Sequence, residues 1–295
     1  MLPNFIGIGA PKAATTWVFH CLRAHPEVFI TDVKETEYFS WRHTMVALDE
    51  YTSHFEDATS EHVAIGEIST SYLHWSGTPQ RIHAVLPESR FFVSLRHPVD
   101  QVYSHYWHLR RQNFHQSARP RPESFEEALE LYPEELLCPA RYSEHLTRWF
   151  QVFDEDQIYI IFHDDIKAKP GGVISGLFGF LGVSTTFEPA FLNESSTRTR
   201  RGTSPRTPFF ESIYTSLYDV LTKGVYFPLR KLIGRRLAEE LKNWTGAREI
   251  LENTFRKSGY PEMKDKTRTR LQEYYADDVQ ALESLTGRDL THWYT

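Results

Sequence analysis

Residues 5–18, near the start of the sequence, constrain the fold more than any other stretch. An apolar run over residues 5–8 ends at Gly9, which is typical of a buried strand. From Thr15 onward apolar residues recur at helical spacing. The helix is predicted to end at His25, because the residue before a proline disfavours helical backbone. The stretch therefore predicts a strand, a tight loop and a helix.

The predicted loop has the properties of an anion site. Backbone N–H groups at a helix start lack intrahelical acceptors, and the helix dipole favours negative charge there. Thr15 and Thr16 add hydroxyl donors, and Lys12 adds a mobile positive charge. The G-x-x-x-x-G-K-[ST] pattern of common nucleotide loops is missing, as is the third glycine of a dinucleotide fingerprint. Taken alone, a plain strand-to-helix turn with a solvated lysine explains the loop equally well.

A second strand-to-helix transition is predicted at residues 91–104. Arg96 follows an apolar strand, and Pro98 suits the first helical position because its missing N–H is not needed there. Ser104 lies about two helical turns further on. Ligands of open α/β sheets bind beyond the carboxyl ends of strands, so Arg96 and Ser104 are predicted to bind one anion. The alternative for Arg96 is a surface ion pair.

Strand and helix patterns alternate along most of the chain. Further strands are predicted at residues 28–30, from residue 64, and at 158–162, and helices at 125–131, 142–153, 172–181 and 271–285. Ser124 is the predicted cap of the helix at 125–131. With 295 residues, 40% apolar and 14% aromatic, the chain is long enough to bury the core of one α/β domain over residues 1–295.

Composition excludes several classes of protein. A net charge of -6 argues against a nucleic-acid binder. Cys21 and Cys138 are too few for a disulfide framework, which favours a reducing compartment, although a single bridge between them stays open. No stretch approaches the roughly 20 apolar residues of a membrane span, and the first strand leaves no room for a signal peptide. A soluble, cytoplasmic protein is expected.

Several segments resemble sulfotransferases that use 3′-phosphoadenosine 5′-phosphosulfate (PAPS). Residues 11–17 are similar to the P-K-x-G-T-T-W loop that holds the 5′-phosphosulfate, with Ala14 in place of glycine. Residues 34–39 are similar to the K-E-x-x-F-F segment of heparan-type and bacterial enzymes. Arg96 and Ser104 match the pattern that binds the 3′-phosphate. We expect Ala14 to be tolerated unless its φ is positive.

The resemblance implies a P-loop-like three-layer α/β sandwich with a mostly parallel sheet between helices. It assigns two catalytic roles: Lys12 stabilises the leaving phosphate, and Glu35 is the general base that accepts the acceptor proton. A solvated charged loop is the alternative reading of residues 34–37. The implied donor-binding residues are Lys12, Ala13, Ala14, Thr15, Thr16, Trp17, Arg96, Ser104, Arg201 and Gly202.

Residues 64–73 resemble the segment that lines the acceptor pocket in this family. Glu67 is therefore expected either to touch the acceptor, as Glu35 would, or to be a structural ion-pair partner. Ile68 stands where heparan-type enzymes often have a lysine, and Thr70 where proline is usual. A second catalytic cation from this segment is therefore in doubt.

The sequence thus predicts a sulfotransferase that moves the sulfuryl group of PAPS to a hydroxyl, or less favourably an amine, of a small molecule or glycan. No metal is required, because no zinc-type cluster and no paired carboxylates beside a nucleotide loop are present. An ATP-dependent kinase and a non-catalytic nucleotide-binding scaffold are the alternatives. The identity of the acceptor and the oligomeric state do not follow from the sequence.

Overall fold

The structure is a computed structural model that describes residues 1–111, 122–192, 203–205 and 256–294. Its strands are β1 (Phe5–Gly9), β2 (Val28–Ile30), β3 (Ala64–Ile68), β4 (Arg90–Leu95), β5 (Ile158–Phe162), β6 (Thr203–Pro205) and β7 (Arg256–Ser258). The α-helices of these ranges are α1 (Thr15–Ala24), α2 (Leu48–Thr52), α3 (Thr78–His83), α4 (Pro98–Arg111), α5 (Phe125–Leu131), α6 (Pro133–Leu137), α7 (Tyr142–Phe150), α8 (His163–Ala168), α9 (Pro170–Leu181) and α10 (Asp265–Thr286).

The first five strands form one parallel sheet in the order β2-β3-β1-β4-β5. β1 lies between β3 and β4, so the loops after all three strands leave the sheet at the same edge. Gly66 on β3 permits close pairing, because a Cβ there would lie 2.3 Å from the carbonyl oxygen of Phe5. The predicted α/β class with a mostly parallel sheet is confirmed.

Helices cover both faces of this sheet. Phe92 on β4 belongs to a buried cluster that includes Leu22 of α1 and Phe178 of α9. The preceding residue, Phe91, contacts Trp149 of α7 and the nearby Phe153, with ring centroids 5.1 and 4.4 Å apart. Successive strand side chains point to opposite faces, so the two phenylalanines anchor different helical layers. This arrangement confirms the predicted three-layer sandwich.

Most predicted elements are present, with shifted boundaries. α1 ends at Ala24, and His25 is extended before Pro26, as expected. The Ser124 hydroxyl caps α5 by accepting a hydrogen bond from the backbone N–H of Glu127 at 3.1 Å. The predicted start of α9 at residue 172 is wrong. The helix begins at Pro170, because proline suits the first turn of a helix.

The described residues group into two compact units. The first contains the five-stranded sheet, α1 to α3, and α5 to α10. The second contains the antiparallel pair β6 and β7 and the part of α4 from Tyr106 onward. Within the second unit the rings of Trp107 and Tyr260 stack, with centroids 5.5 Å apart. A single domain over residues 1–295 stays a prediction.

Two observations bear on the environment of the chain. Cys21 and Cys138 are free thiols, so the bridge left open by the sequence is not formed. Among the described residues, no helix combines the length and apolar character needed to cross a membrane. The cytoplasmic location stays a prediction.

Candidate active site

The loop between β1 and α1 has an unusual backbone. Lys12 and Ala14 have positive φ angles of 64° and 66°. Ala14 is the N-cap of α1, and no side chain caps this helix within the described part of the chain. The backbone N–H of Trp17 donates to the carbonyl of Ala14 at 2.9 Å, which leaves the N–H groups of Thr15 and Thr16 for a ligand. Alanine was expected to be tolerated at position 14 unless its φ is positive. The φ of Ala14 is positive, so this residue is strained.

Three side chains, from β4, from α4 and from the turn between them, hold this loop by its carbonyl groups. Ser94 Oγ donates to the carbonyl of Ala13 at 2.5 Å, and Gln101 Nε2 donates to that of Pro11 at 3.0 Å. Arg96 Nη1 donates to the Lys12 carbonyl at 3.4 Å. Ser94 and Gln101 are fully buried, so these contacts are shielded from water. With these carbonyl groups bonded to β4, α4 and the turn between them, the loop backbone is held in one conformation.

The sequence motifs did not point to Ser94 or Gln101. The one signal in the sequence was a serine inside the otherwise apolar strand β4. A buried hydroxyl needs a partner, and here that partner is the neighbouring loop.

Arg96 lies at the carboxyl end of β4, as predicted, and is only partly exposed. Its Nη2 is 3.8 Å from Asp100 Oδ2, and Asp100 Oδ1 in turn is 3.1 Å from Nη2 of Arg268 on α10. Arg96 Nε is buried and has no hydrogen-bond partner among the described residues. Ser104 is buried two turns along α4. A partly exposed guanidinium group beside a second arginine fits a phosphate ligand.

The segment that contains Glu35 lies against the same edge of the sheet. Glu35 and Glu37 have φ angles of 66° and 58°, and the backbone N–H of Glu35 donates to the carbonyl of Ile68 at 2.9 Å. Thr70 Oγ1 donates to Glu35 Oε1 at 3.3 Å. The Glu35 carboxylate is thus held at the end of β3 while part of it faces solvent.

Lys34 connects this segment to the anion loop. Its Nζ atom is 3.2 Å from Thr16 Oγ1 on the first turn of α1 and 3.2 Å from Glu35 Oε1. The structure therefore brings the predicted base into one hydrogen-bonded chain with a predicted donor-binding residue. Ile68 is buried in the apolar core and brings no charge to this place.

Glu67 is fully buried beneath the segment. Its carboxylate accepts hydrogen bonds from the hydroxyls of Thr36 at 2.6 Å, Ser69 at 2.8 Å, and Tyr51 and Tyr72, both at 3.0 Å. Burial raises the pKa of Glu67, and the hydroxyl donors oppose that rise. These partners are hydroxyl groups, so the expected ion pair is not the arrangement seen. The carboxylate is closed off from solvent, so in this conformation Glu67 supports Thr36 and does not reach an acceptor.

Glu37 is a second carboxylate, one to which the sequence motifs assigned no role in the site. Its Oε2 atom accepts hydrogen bonds from the hydroxyls of Ser40, at 2.7 Å, and Ser71. Burial is the main cause that raises the pKa of Glu37, and the negative charge of Glu35 adds to it. The two carboxylates therefore repel each other within one short segment.

The remaining predicted residues divide into three groups. Ala13 and Trp17 are buried, and Trp17 packs in the apolar core, so its side chain is part of the scaffold. Thr15 is buried and Thr16 is exposed at the start of α1. Arg201 and Gly202 lie outside the described residues.

Left-handed backbone is concentrated at this site. In the described part of the chain, the residues other than glycine with positive φ are Lys12, Ala14, Glu35 and Glu37. Such conformations cost about 1–3 kcal/mol each and persist where the surrounding structure enforces them, often at functional sites. Two of the four are the residues predicted to be catalytic. The strain thus marks the same two segments that the sequence motifs indicated.

Replacing Ala14 with glycine is expected to raise the free energy of unfolding by about 0.5–1 kcal/mol. The left-handed conformation costs alanine about 1–2 kcal/mol, and the extra backbone entropy that glycine loses on folding removes part of the gain. Thermal unfolding should show a Tm higher by about 1–3 °C. Ala13→Gly is the matched control and should lower the Tm, because φ at Ala13 is not positive. A Tm of Ala14→Gly at or below the wild-type value would contradict the strained backbone.

Comparisons with known proteins identify the family of this chain. The family model "Sulfotransferase domain" matches residues 2–204. The human bifunctional heparan sulfate N-deacetylase/N-sulfotransferase 3 is 26% identical over 313 aligned residues, which cover 99% of this chain and 31% of that protein. The mouse bifunctional heparan sulfate N-deacetylase/N-sulfotransferase 1 is 26% identical over 202 residues, which cover 63% and 23%. A crystal structure of a sulfotransferase from Alicyclobacillus acidocaldarius superposes with a TM-score of 0.70 at 23% identity, covering 100% of both chains.

The matched family model covers well over half of the chain, so the chain belongs to the sulfotransferase family. The prediction of a PAPS-dependent sulfotransferase is confirmed at the level of the family. The chain spans 23–31% of the length of these two curated relatives. The likeness to the solved structure supports the fold.

Proposed function

We propose that this enzyme moves the sulfuryl group of PAPS to a hydroxyl group of a glycan or small molecule, with Lys12 and Glu35 as its catalytic residues. The observation that carries the proposal is the junction of the two strained segments. Lys34 links Thr16, beside the anion loop, to Glu35, and both Lys12 and Glu35 have positive φ. A carboxylate is thus held next to a loop that is built for an anion.

The residues present fit the donor. The 5′-phosphosulfate would be held by the uncapped start of α1, with Lys12, Thr15 and Thr16 as donors. The 3′-phosphate would be held by Ser104 and by the guanidinium group of Arg96, whose side chain is partly exposed.

The proposed transfer needs one base and one cation from this chain. PAPS supplies an activated sulfuryl group. Glu35 accepts the proton of the acceptor hydroxyl while its oxygen forms a bond to sulfur. Lys12 neutralises the charge that develops on the phosphate oxygen as the bond between that oxygen and sulfur breaks. The rest of the site contributes by holding these groups in place, so positioning and charge neutralisation account for most of the rate.

An amine acceptor is the second candidate. The curated relatives in these comparisons are named as heparan sulfate N-sulfotransferases, which supports a glycan acceptor and nitrogen as the sulfated atom. Glu35 serves both candidates, because an attacking amine must also lose a proton. Turnover of PAPS with N-deacetylated heparan sulfate, compared with the fully N-acetylated polymer, separates the two: only the first polymer offers free amines.

Calorimetric titration with 3′-phosphoadenosine 5′-phosphate (PAP) tests the donor site directly. Arg96→Ala is expected to weaken PAP binding by about 1.5–3 kcal/mol, roughly 10- to 150-fold, because a charge-assisted hydrogen bond to phosphate is lost. Arg90→Ala is the matched control, since Arg90 lies at the opposite end of the same strand. Tight binding of ATP-Mg with no binding of PAP would contradict the proposed donor, as would equal effects of the two substitutions.

A further inference from the structure

Lys34 occupies a position that none of the roles above uses. Its ammonium group contacts Thr16 Oγ1 and Glu35 Oε1, each at 3.2 Å, and its side chain is 25% exposed. An ammonium has three donors, and these contacts use two of them. Lys34 therefore lies between the proposed base and the loop proposed to hold the donor.

The local backbone makes this contact specific. In extended chain, neighbouring side chains point to opposite faces, so Lys34 and Glu35 would point apart. The φ of 66° at Glu35 breaks this alternation and lets the two side chains meet. The main-chain bond from Glu35 to Ile68 and the Thr36 hydroxyl bonded to Glu67 keep the segment in this conformation.

The charges around Glu35 distinguish Lys34 from the other partner of this carboxylate. The negative charge of Glu35 contributes to the raised pKa of Glu37, so the two carboxylates repel each other. Thr70 and Lys34 are the partners of the Glu35 carboxylate within the described residues. Of these two, Lys34 alone carries a charge opposite to that of Glu35, and it also contacts the anion loop through Thr16.

We propose that Lys34 is a positioning residue for sulfuryl transfer, one that holds the Glu35 carboxylate against the donor loop through Thr16. This inference rests on the proposed function of Glu35 and of the loop. A surface ion pair would contribute little, and its loss would change neither turnover nor the effect of other substitutions. A positioning role makes the effect of Lys34 depend on Glu35.

The test is a double-mutant cycle on turnover, with PAP affinity as a separate readout. Lys34→Met keeps the aliphatic stem and removes the charge. It is expected to lower kcat for PAPS about 100-fold with N-deacetylated heparan sulfate or water as acceptor, because a displaced general base loses most of its 10²- to 10⁴-fold contribution. PAP affinity should stay within about threefold of wild type, because the substitution disturbs Glu35 and leaves the proposed phosphate contacts in place. Lys34→Arg should recover about tenfold of the lost rate, because it restores the charge with altered geometry.

In a Glu35→Gln background, Lys34→Met should lower kcat by less than about threefold further, because the base that Lys34 positions is already absent. Arg23→Ala is the control: it breaks an exposed ion pair with Asp32 at the other end of α1 and should leave both readouts unchanged. The proposal would be overturned if Lys34→Met left kcat unchanged, or if it lowered kcat equally in the wild-type and Glu35→Gln backgrounds. It would also be overturned if Lys34→Met weakened only PAP affinity. Wild-type protein that fails to bind PAP would instead overturn the proposed function and this inference with it.

Discussion

Glu35→Gln is expected to lower the turnover of PAPS by about 10²- to 10⁴-fold, while PAP affinity changes by no more than a few-fold. Glutamine keeps the shape of the side chain and can still accept the hydrogen bond from Thr70, but it cannot take up the acceptor proton. The carboxylate is not among the groups proposed to hold the donor. The loss should therefore appear in kcat and not in donor binding.

Glu37→Gln is a closely matched control for this substitution. Glu37 lies two residues away with the same left-handed backbone, and its carboxylate is occupied by the hydroxyls of Ser40 and Ser71. We expect its turnover to fall by less than about tenfold, because the group supports the segment and is not the base. Equal losses in the two variants, with equal Tm values, would show that Glu35 has no special role in transfer.

Acidification from pH 6 to pH 5 is expected to lower the free energy of unfolding, by about 1 kcal/mol for each histidine that the folded protein keeps neutral. Burial lowers the pKa of several histidines, to about 3 for His74 and His105 and to about 4 for His145 and His163. The pKa values of His43 and His97 are lowered as well. In the unfolded chain these groups take up protons near pH 6.5, whereas the folded protein keeps them neutral.

The sign of the effect follows from proton uptake. Between pH 6.5 and the lowered pKa of the folded state, the unfolded state binds more protons, so stability falls as the pH falls, by at most about 1.4 kcal/mol per pH unit for each such histidine. Glu37, Glu67 and Asp278 act in the opposite direction, because burial raises their pKa values in the folded state. Each of these three carboxyl groups offsets at most the effect of one histidine, and four histidines in the described ranges have strongly lowered pKa values, so the net change is destabilising.

Urea unfolding at several pH values measures this dependence. His74→Gln should reduce the pH dependence between pH 6 and pH 5, because one buried imidazole is removed. His83→Gln, at an exposed position, is the control and should leave the pH dependence of stability unchanged. Stability that is constant or rises between pH 6 and pH 5 would contradict the buried, neutral histidines.

Local patterns were enough to predict the framework of the site. The apolar run before Gly9, the proline after His25, and the Arg96 to Ser104 spacing each report a single strand or helix, and the structure has these elements. Lys12 and Glu35 were selected by resemblance, and the structure places both in strained segments at one edge of the sheet. The features that were predicted correctly are those set by residues close together in the sequence.

The contacts that hold the site depend on neighbours in space. The bonds from Ser94 and Gln101 to the loop exist because β4 pairs with β1, and strand order is not visible in any single motif. The four hydroxyl partners of Glu67 come from residues 36–72, so its burial required the folded segment. Ala14 shows the limit of analogy: a conservative replacement by size is strained at a φ of 66°.

The structure of the enzyme with PAP bound tests the central claim most directly. We expect the 5′-phosphate against the first turn of α1, within hydrogen-bond distance of Lys12 and Thr16, and the 3′-phosphate on Arg96 and Ser104. Glu35 should then lie on the open side of the 5′-phosphate, where an acceptor could approach. PAP bound elsewhere, or bound with its 5′-phosphate remote from Lys12 and Glu35, would contradict the proposed site.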